Sequence, residues 1–281
     1  MSVHPPLGAV REAVARALAE DVGPLGDLTA ALLPPGAWAM TSLVPRQDGV
    51  LAGRMAATEA FAQVDPSLLV TWQADDGGRV KAGEAVGAVS GPLAGILTAE
   101  RTALNLLGHL SGIATLTNRF VEAGGGRIGI RDTRKTTPGL RALEKAAVRA
   151  GGGINHRGSL SEGILLKDNH LAGLSIADAV SRSRQLWPGR SVQVECDTLV
   201  QVGEALAAGA DLVLLDNMTP DQVRECALRI SGRCMVEVSG GVTLDTVAAY
   251  ADAGADLVAV GAITHSAPIL DIGLDIGLDI A

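Results

Sequence analysis

Arg131, Arg134 and Lys135 fall within ten residues, RDTRKTTPGL, of a 281-residue chain whose formal net charge is −8. Guanidinium and ammonium groups at this density recognise carboxylate and phosphate oxygens, arginine as a two-point fork and lysine as a point charge. The bias persists downstream. From Arg127 to Lys167 there are six Arg and three Lys against Asp132, Glu144 and Glu162, a local net of +6, with His156 inside the span and His170 just beyond it. A short cationic stretch in an acidic protein suits a small polyanion, whereas a duplex binder spreads its positive charge over an extended face. Further on the character reverses. Glu195 and Asp216 each close an apolar run, VQVE and LVLLD, and offer carboxylates of the kind that hold Mg²⁺ or ribose hydroxyls. Ser239-Gly240-Gly241 and Gly261-Ala262, after VEV and VAV, are small enough to let backbone N–H groups approach a phosphate at a helix start.

Such groups need a scaffold that brings them to one mouth. Short apolar runs, RIGI, GILLK, VQVE, DLVLLD, MVEVSGG and DLVAVGA, alternate with helical patterns, which predicts crossover-connected parallel strands. AGADLVLLDN from Ala208 returns as AGADLVAVGA from Ala253, a repeat expected of a barrel built from βα units. A doubly wound sheet is the alternative, but no GxGxxG opens its first helix. In a barrel the polar residues ending each run converge on the C-terminal face of the strands. TTPGLRALEKAAVRAGGG predicts a helix capped by threonine with Pro138 in its first turn, and its Arg141, Glu144, Lys145 and Arg149 predict a solvated or interface face. His109 and His265, isolated in sequence, are expected to be structural.

The first hundred residues read differently. A helix is expected over Val10–Glu20, and TAERTALNLLGHLSGIATLTNRFVEAG predicts a long helix stopped at Gly124. Between them, Thr41 to Leu97 carries short strands broken by glycine, which predicts hairpins; a biotinyl- or lipoyl-type carrier module has a similar texture. Aromatics make up only 2% of the chain, which excludes the stacking platforms of single-strand nucleic-acid readers. Cys196, Cys226 and Cys234 are odd in number and lack CxxC spacing, so reduced thiols in a cytoplasmic protein are expected. Neither a signal peptide nor a membrane span is expected.

Taken together, RDTRKTTPGLRALEKAAVRAGGGINHR, LLKDNH, VECDTL, LLDNMTP, SGGVTLDTV and VGAITHSAPILDIGLDI, with EDVGPLGDLTA and LTAERTALNLLGHLSGIAT in the first half, resemble the quinolinate phosphoribosyltransferases. The resemblance covers nearly the whole chain. It implies an incomplete, seven-stranded α/β barrel over 111–269 and a smaller N-terminal α/β sandwich domain over 1–110, with the tail 270–281 packing on the latter. It implies transfer of the ribose 5-phosphate of phosphoribosyl pyrophosphate to quinolinate, with Mg²⁺ and no organic cofactor, in NAD biosynthesis. By matching motif, Arg134, His156, Arg157 and Lys167 would bind the two carboxylates of the acceptor, and Thr133 would be a further substrate-binding residue. Lys135 would contact the pyrophosphorylated sugar, and Glu195 and Asp216 would hold ribose hydroxyls or metal. Ser239, Gly240, Gly241, Gly261 and Ala262 would line the 5-phosphate site. Lys135, Lys167, Glu195 and Asp216 are the expected catalytic set. Arg101 would complete the site of a partner in a homodimer or higher oligomer. The segment Gly158–Gly163 departs from the family pattern, which leaves open a different pyridine carboxylate as acceptor. A non-catalytic anion-binding paralogue is the remaining alternative.

Overall fold

A computed structural model describes residues 3–277, which form two compact units. The first takes the chain up to Asn118, then Thr136–Gly152 and the chain from Ile263; the second takes Arg119–Lys135 and Gly153–Ala262.

The first unit opens with α1 (Leu7–Val22), three residues longer at its start than the expected helix. Val10, Ala13, Val14 and Leu18 recur at helical spacing and bury against α2 (Arg54–Val64), which answers with Ala56, Ala57, Ala60 and Phe61. After α1 the chain turns under Asp27. Its Oδ1 accepts from the Ala30 and Thr29 backbone N–H groups at 2.9 and 3.0 Å, and its Oδ2 accepts from the Thr98 hydroxyl at 2.9 Å. The Ala30 N–H and the Thr98 hydroxyl, by bonding the charged form, hold the Asp27 carboxyl below the usual range. A lowered folded pKa means stability that is whole above the unfolded value near 3.8 and lost as pH falls below it. Asp27→Ala is therefore expected to lower unfolding free energy by about 1 kcal/mol at pH 7. The gap between variant and parent should shrink below pH 4, as read by denaturant titration at both values.

The glycine-broken segment forms β1 (Trp38–Pro45), β2 (Gly49–Val50), β3 (Leu69–Trp72), β4 (Arg79–Val80) and β5 (Gly87–Pro92). The strands lie where expected, but the pairing is not that of local hairpins. α2 interrupts the run; β2 pairs with β4, and in the main sheet β5 lies between β1 and β3, all antiparallel. Its edge strand β12 (Ile272–Gly277) comes from the opposite end of the chain, from Pro45↔Ile272 to Met40↔Gly277. A carrier module made only of residues 41–97 is thereby set aside. The extra copy of the tail repeat, from 278, lies outside the described residues.

The long helix α3 (Leu93–Ala123) carries the returning tail. Leu270 N–H donates to the Gly108 carbonyl at 3.1 Å, and one turn further a Cβ on Gly112 would enter the Pro268 carbonyl oxygen. Only glycine lets the backbones approach that closely. α4 (Arg141–Ala150) also belongs to this unit and departs from expectation at its start and on its polar face. Its N-cap is Leu140, without a side-chain cap; Thr136 and Thr137 lie in the preceding turn. Glu144 is fully buried and Lys145 nearly so. The carboxylate of Glu144 accepts from His109 Nε2 of α3 at 2.8 Å and from the Thr137 backbone N–H at 3.2 Å. It thus replaces the missing cap from inside the helix. Glu144→Ala orphans both donors and is expected to cost about 2 kcal/mol in a thermal or urea melt, with His109→Ala non-additive to it.

The second unit is an incomplete α/β barrel. Its strands are β6 (Gly129–Arg131), β7 (Ile164–Leu166), β8 (Val192–Cys196), β9 (Leu212–Asp216), β10 (Met235–Ser239) and β11 (Leu257–Ala259). They pair in parallel in the order β6-β11-β10-β9-β8-β7. A single parallel bridge, Arg131↔Ile154, lies beside β6 outside these six strands, and the ladder stays open between Ile154 and β7. α5 (Ile176–Leu186), α6 (Leu199–Ala207), α7 (Pro220–Ile230) and α8 (Val247–Asp252) fill the crossovers; α9 (Ala262–His265) follows β11. Thr198–Gln201 and Thr219–Gln222 form reciprocal capping boxes that start α6 and α7 immediately after strand ends. Val192, Val194, Cys196, Val213, Leu215, Val236 and Val238 share one buried face; on the other, Gln193 of β8 reaches Glu237 of β10 across the intervening β9, which marks that face as the barrel interior.

Candidate active site

That alternation decides which side chains meet. On β8 Gln193 and Glu195 share the interior face; on β10 Glu237 and Ser239 share it; β6 ends in Arg131. In register, Arg131 lies beside Ala259, Ala259 beside Ser239, and Ser239 beside Asp216. The predicted mouth residues Asp216, Ser239 and Arg131 therefore occupy one level at the C-terminal end of the ladder.

The basic loop leaves β6 at this level. Asp132, fully buried, accepts from the Asn155 side-chain amide and from the His156 backbone N–H at 2.8 Å, tying the loop to the segment that carries His156 and Arg157. Thr133 Oγ1 accepts from the Lys135 N–H at 3.0 Å, a tight turn that brings Arg134 and Lys135 out together. Arg134 lies close enough to Arg157 to act on it. Burial, and then the Arg134 guanidinium, hold the Arg157 pKa below the ordinary arginine value. Two guanidiniums held this close raise the local positive potential, which favours an anion.

Arg157 is aimed by its own loop. One Nη donates to the Gly163 carbonyl at 2.8 Å, while the Glu162 carboxylate accepts from the Gly158 N–H at 2.7 Å. Gly158–Gly163, where the sequence leaves the family pattern, thus closes on itself. Past it, β7 delivers Lys167, whose ammonium pairs with Glu195 of neighbouring β8. Lys167 remains 42% exposed and Glu195 12%, so the pair sits at the mouth with the cation outward. Asp168–His170 is a short 3₁₀ turn with Lys167 as its N-cap, held by the Lys167 N–H donating to His170 Nδ1 at 3.2 Å.

The turn after β9 is held from the next strand. After Asp216, Asn217 adopts φ +54° and donates its backbone N–H to the Ser239 carbonyl at 2.9 Å; its amide donates to Asp216 at 2.7 Å. Gly240 and Gly241 follow Ser239 at φ +91° and +62°, a conformation that glycine adopts without the strain of a side chain. Gly261-Ala262 opens α9 beyond β11. Arg101, by contrast, belongs to the first unit. It lies on α3, 64% exposed, with one Nη 3.9 Å from Glu100.

Sequence reasoning missed the layer beneath the mouth. Glu237, fully buried, accepts from Arg131 Nη1 at 3.1 Å and from the Gln193 amide; Gln193 in turn contacts His156 Nε2 at 3.1 Å. Burial pushes the Glu237 carboxyl above the usual range, against the charge of Arg131 and the hydrogen bond from Gln193. Among the described residues no cluster of three or more His, Cys, Asp or Glu could hold a metal ion by itself. Glu195 and Asp216 fit Mg²⁺ as oxygen donors only alongside oxygens brought by a bound diphosphate. Cys196 and Cys226 are buried free thiols, with Cys196 pushed up to about 12 by burial and then by Cys226, so neither is a poised nucleophile.

Two family models match in tandem: the quinolinate phosphoribosyl transferase N-terminal domain over residues 27–111 and its C-terminal domain over 113–275. The chain belongs to the quinolinate phosphoribosyltransferase family. Relatives in this family include a nicotinate-nucleotide pyrophosphorylase [carboxylating] from Mycobacterium leprae, 44% identical over 95% of this chain and 97% of that protein. A probable nicotinate-nucleotide pyrophosphorylase [carboxylating] from Bacillus subtilis is 41% identical over 92% and 90%. Among solved structures, the nicotinate-nucleotide pyrophosphorylase from Francisella tularensis superimposes with a TM-score of 0.95 at 35% identity, covering 99% of each chain. The expected fold class, barrel plus small antiparallel unit, is that of the family.

Proposed function

We propose that the chain transfers the ribose 5-phosphate of phosphoribosyl pyrophosphate to the ring nitrogen of quinolinate and releases nicotinate mononucleotide, pyrophosphate and CO₂. The single observation that carries this reading is the mouth itself. Arg134 stands close enough to Arg157 to act on it, Lys167 pairs with Glu195 at a strand end, and Asp216 and the Gly240-Gly241 turn close neighbouring strands, in a family whose relatives include proteins named nicotinate-nucleotide pyrophosphorylase [carboxylating].

The chain's own groups divide the work. Arg134, His156, Arg157 and Lys167, with Thr133 shaping the turn, hold the two carboxylates of the acceptor and aim its nitrogen at the anomeric carbon. Lys135 lies against the pyrophosphorylated sugar. Glu195 and Asp216 face the ribose hydroxyls and stabilise positive charge developing at C1 as the pyrophosphate bond breaks. Ser239, Gly240, Gly241, Gly261 and Ala262 receive the 5-phosphate through backbone N–H groups. Mg²⁺ bound with the diphosphate, touching Glu195 and Asp216, would neutralise leaving-group charge. Once the ring nitrogen is ribosylated and cationic, loss of CO₂ leaves its electron pair at C2, where a proton replaces it. Positioning and charge neutralisation supply the catalysis; no protein nucleophile or organic cofactor is required.

Arg101, exposed on α3, is proposed to complete the site of a second copy in a homodimer. The unpaired thiols support a reducing cytoplasmic setting, and no helix among the described residues is long and apolar enough to cross a membrane. The direct test supplies Mg²⁺, phosphoribosyl pyrophosphate and a panel of pyridine carboxylates, with products separated and weighed by mass spectrometry. Nicotinate mononucleotide from quinolinate alone is expected. Product from nicotinate or another ring acid instead would reassign the acceptor, and no product from any acceptor would leave an anion-binding protein.

A further inference from the structure

Beneath the mouth runs a chain of hydrogen bonds whose polarity can be read from its fixed end. Arg131 Nη1 donates to Glu237 Oε2, and the same oxygen meets the Gln193 amide, so that amide must point its NH₂ at Glu237 and its carbonyl oxygen at His156. His156 Nε2 must then carry the proton. At the other ring nitrogen the Arg157 backbone N–H donates to Nδ1 at 2.8 Å, which requires Nδ1 to be bare. Both ends demand the same tautomer. The opposite one would set Nδ1–H against the Arg157 N–H, donor facing donor, in the residue whose guanidinium enters the anion pocket. The layer is otherwise closed: His156 is only 11% exposed, and Arg131 Nε and Glu237 Oε1 are buried without a hydrogen-bond partner. A buried charged pair kept at that cost calls for a role beyond packing.

We propose that Glu237 and Gln193 are positioning residues that fix the Nε2–H tautomer and ring direction of His156, and through it the backbone of Arg157 in the acceptor pocket. Neither touches a substrate; the pair sets acceptor affinity from below. This rests on the reading of His156 and Arg157 as acceptor-binding groups.

The test joins a spectroscopic and a kinetic readout. Long-range ¹H–¹⁵N spectra of the histidine-labelled protein, with the His156 signals assigned by their loss in His156→Gln, are expected to show the Nε2–H form in the parent. Gln193→Leu removes the acceptor of the His156 Nε2–H and leaves the Arg131–Glu237 pair in place. In Glu237→Gln the amide oxygen stays where Arg131 and Gln193 both donate, so the tautomer should hold; Arg131→Met/Glu237→Gln removes that anchor and lets the 237 amide meet Gln193 in either orientation. Gln193→Leu and Arg131→Met/Glu237→Gln should each mix the tautomers and raise the KM for quinolinate about tenfold, with kcat and the KM for phosphoribosyl pyrophosphate changed less than about threefold. Unchanged tautomer populations in either of these, or mixed tautomers in Glu237→Gln alone, would overturn the proposal. If Gln193→Leu does not fold, Arg131→Met/Glu237→Gln decides alone. A parent that makes no nucleotide from any pyridine acid defeats the functional reading only, and the spectra still decide whether the pair fixes the tautomer.

Discussion

Lys167→Ala is expected to lower kcat/KM for quinolinate by on the order of 10³-fold, about 4 kcal/mol of transition-state stabilisation. Two losses act in the same direction. The ammonium that would meet an acceptor carboxylate is gone, and Glu195, released from its pair, turns an uncompensated negative charge toward a dianionic substrate. The fold should hardly notice. Lys167 is 42% exposed, and a half-solvated pair contributes roughly 0–1 kcal/mol to stability. Lys167→Ala/Glu195→Gln separates the two losses, because removing the stranded carboxylate should recover part of the acceptor KM while the loss in kcat persists or deepens. Steady-state kinetics in both substrates, with a melt on the same preparation, makes the measurement. A kcat/KM within tenfold of the parent in a folded protein would remove Lys167 from the acceptor site.

The mouth was legible in the sequence because strand ends in a βα barrel are marked twice, by an apolar run that stops and by a polar residue where it stops. Glu195, Asp216 and Ser239 were found that way, and the structure sets Asp216 and Ser239 in register. The layer below carries the same signal one period earlier. Gln193 stands two residues before Glu195, and Glu237 two before Ser239, in VQVE and VEVS. A polar residue inside a strand, on the face its neighbour already assigns to the interior, is costly unless partnered. Period two would therefore have exposed both, had the runs been read for faces instead of ends. Glu144 shows the opposite failure. Charges at helical spacing normally mark a solvated face, yet α4 lies against α1, and His109 reaches across from α3 to meet Glu144. No local pattern announces a partner 35 residues away. The main sheet of the first unit was hidden for the same reason, since β1 pairs with a strand from the far end of the chain.

Gly240→Ala tests the glycine turn after β10, the proposed 5-phosphate side, and should be the most damaging single-methyl change at the mouth. Its φ of +91° is one that L side chains rarely adopt, and a Cβ there would enter the Asn217 amide oxygen, 2.8 Å from Cγ and 3.0 Å from the Asn217 backbone nitrogen. The left-handed backbone alone costs about 1–2 kcal/mol, and forcing a methyl into a packed contact adds about 1–3 kcal/mol. Gly241, at φ +62° with open space around it, carries only the first cost. The two alanine variants should therefore differ by about 1–3 kcal/mol in unfolding free energy although their positions are adjacent. Function should divide in the same way. Relief of the contact must move Asn217, which bonds Asp216 and the Ser239 carbonyl, so Gly240→Ala is expected to raise the KM for phosphoribosyl pyrophosphate more than that for quinolinate. Asn217→Gly/Gly240→Ala removes the amide oxygen and Cγ from the clash and tolerates φ +54° at 217, so it should regain stability over Gly240→Ala alone while leaving Asp216 without its amide donor. Recovered stability with a persistently raised sugar KM would assign the turn's work to Asn217 holding Asp216. Recovery of both would assign it to the backbone N–H groups of the glycine pair.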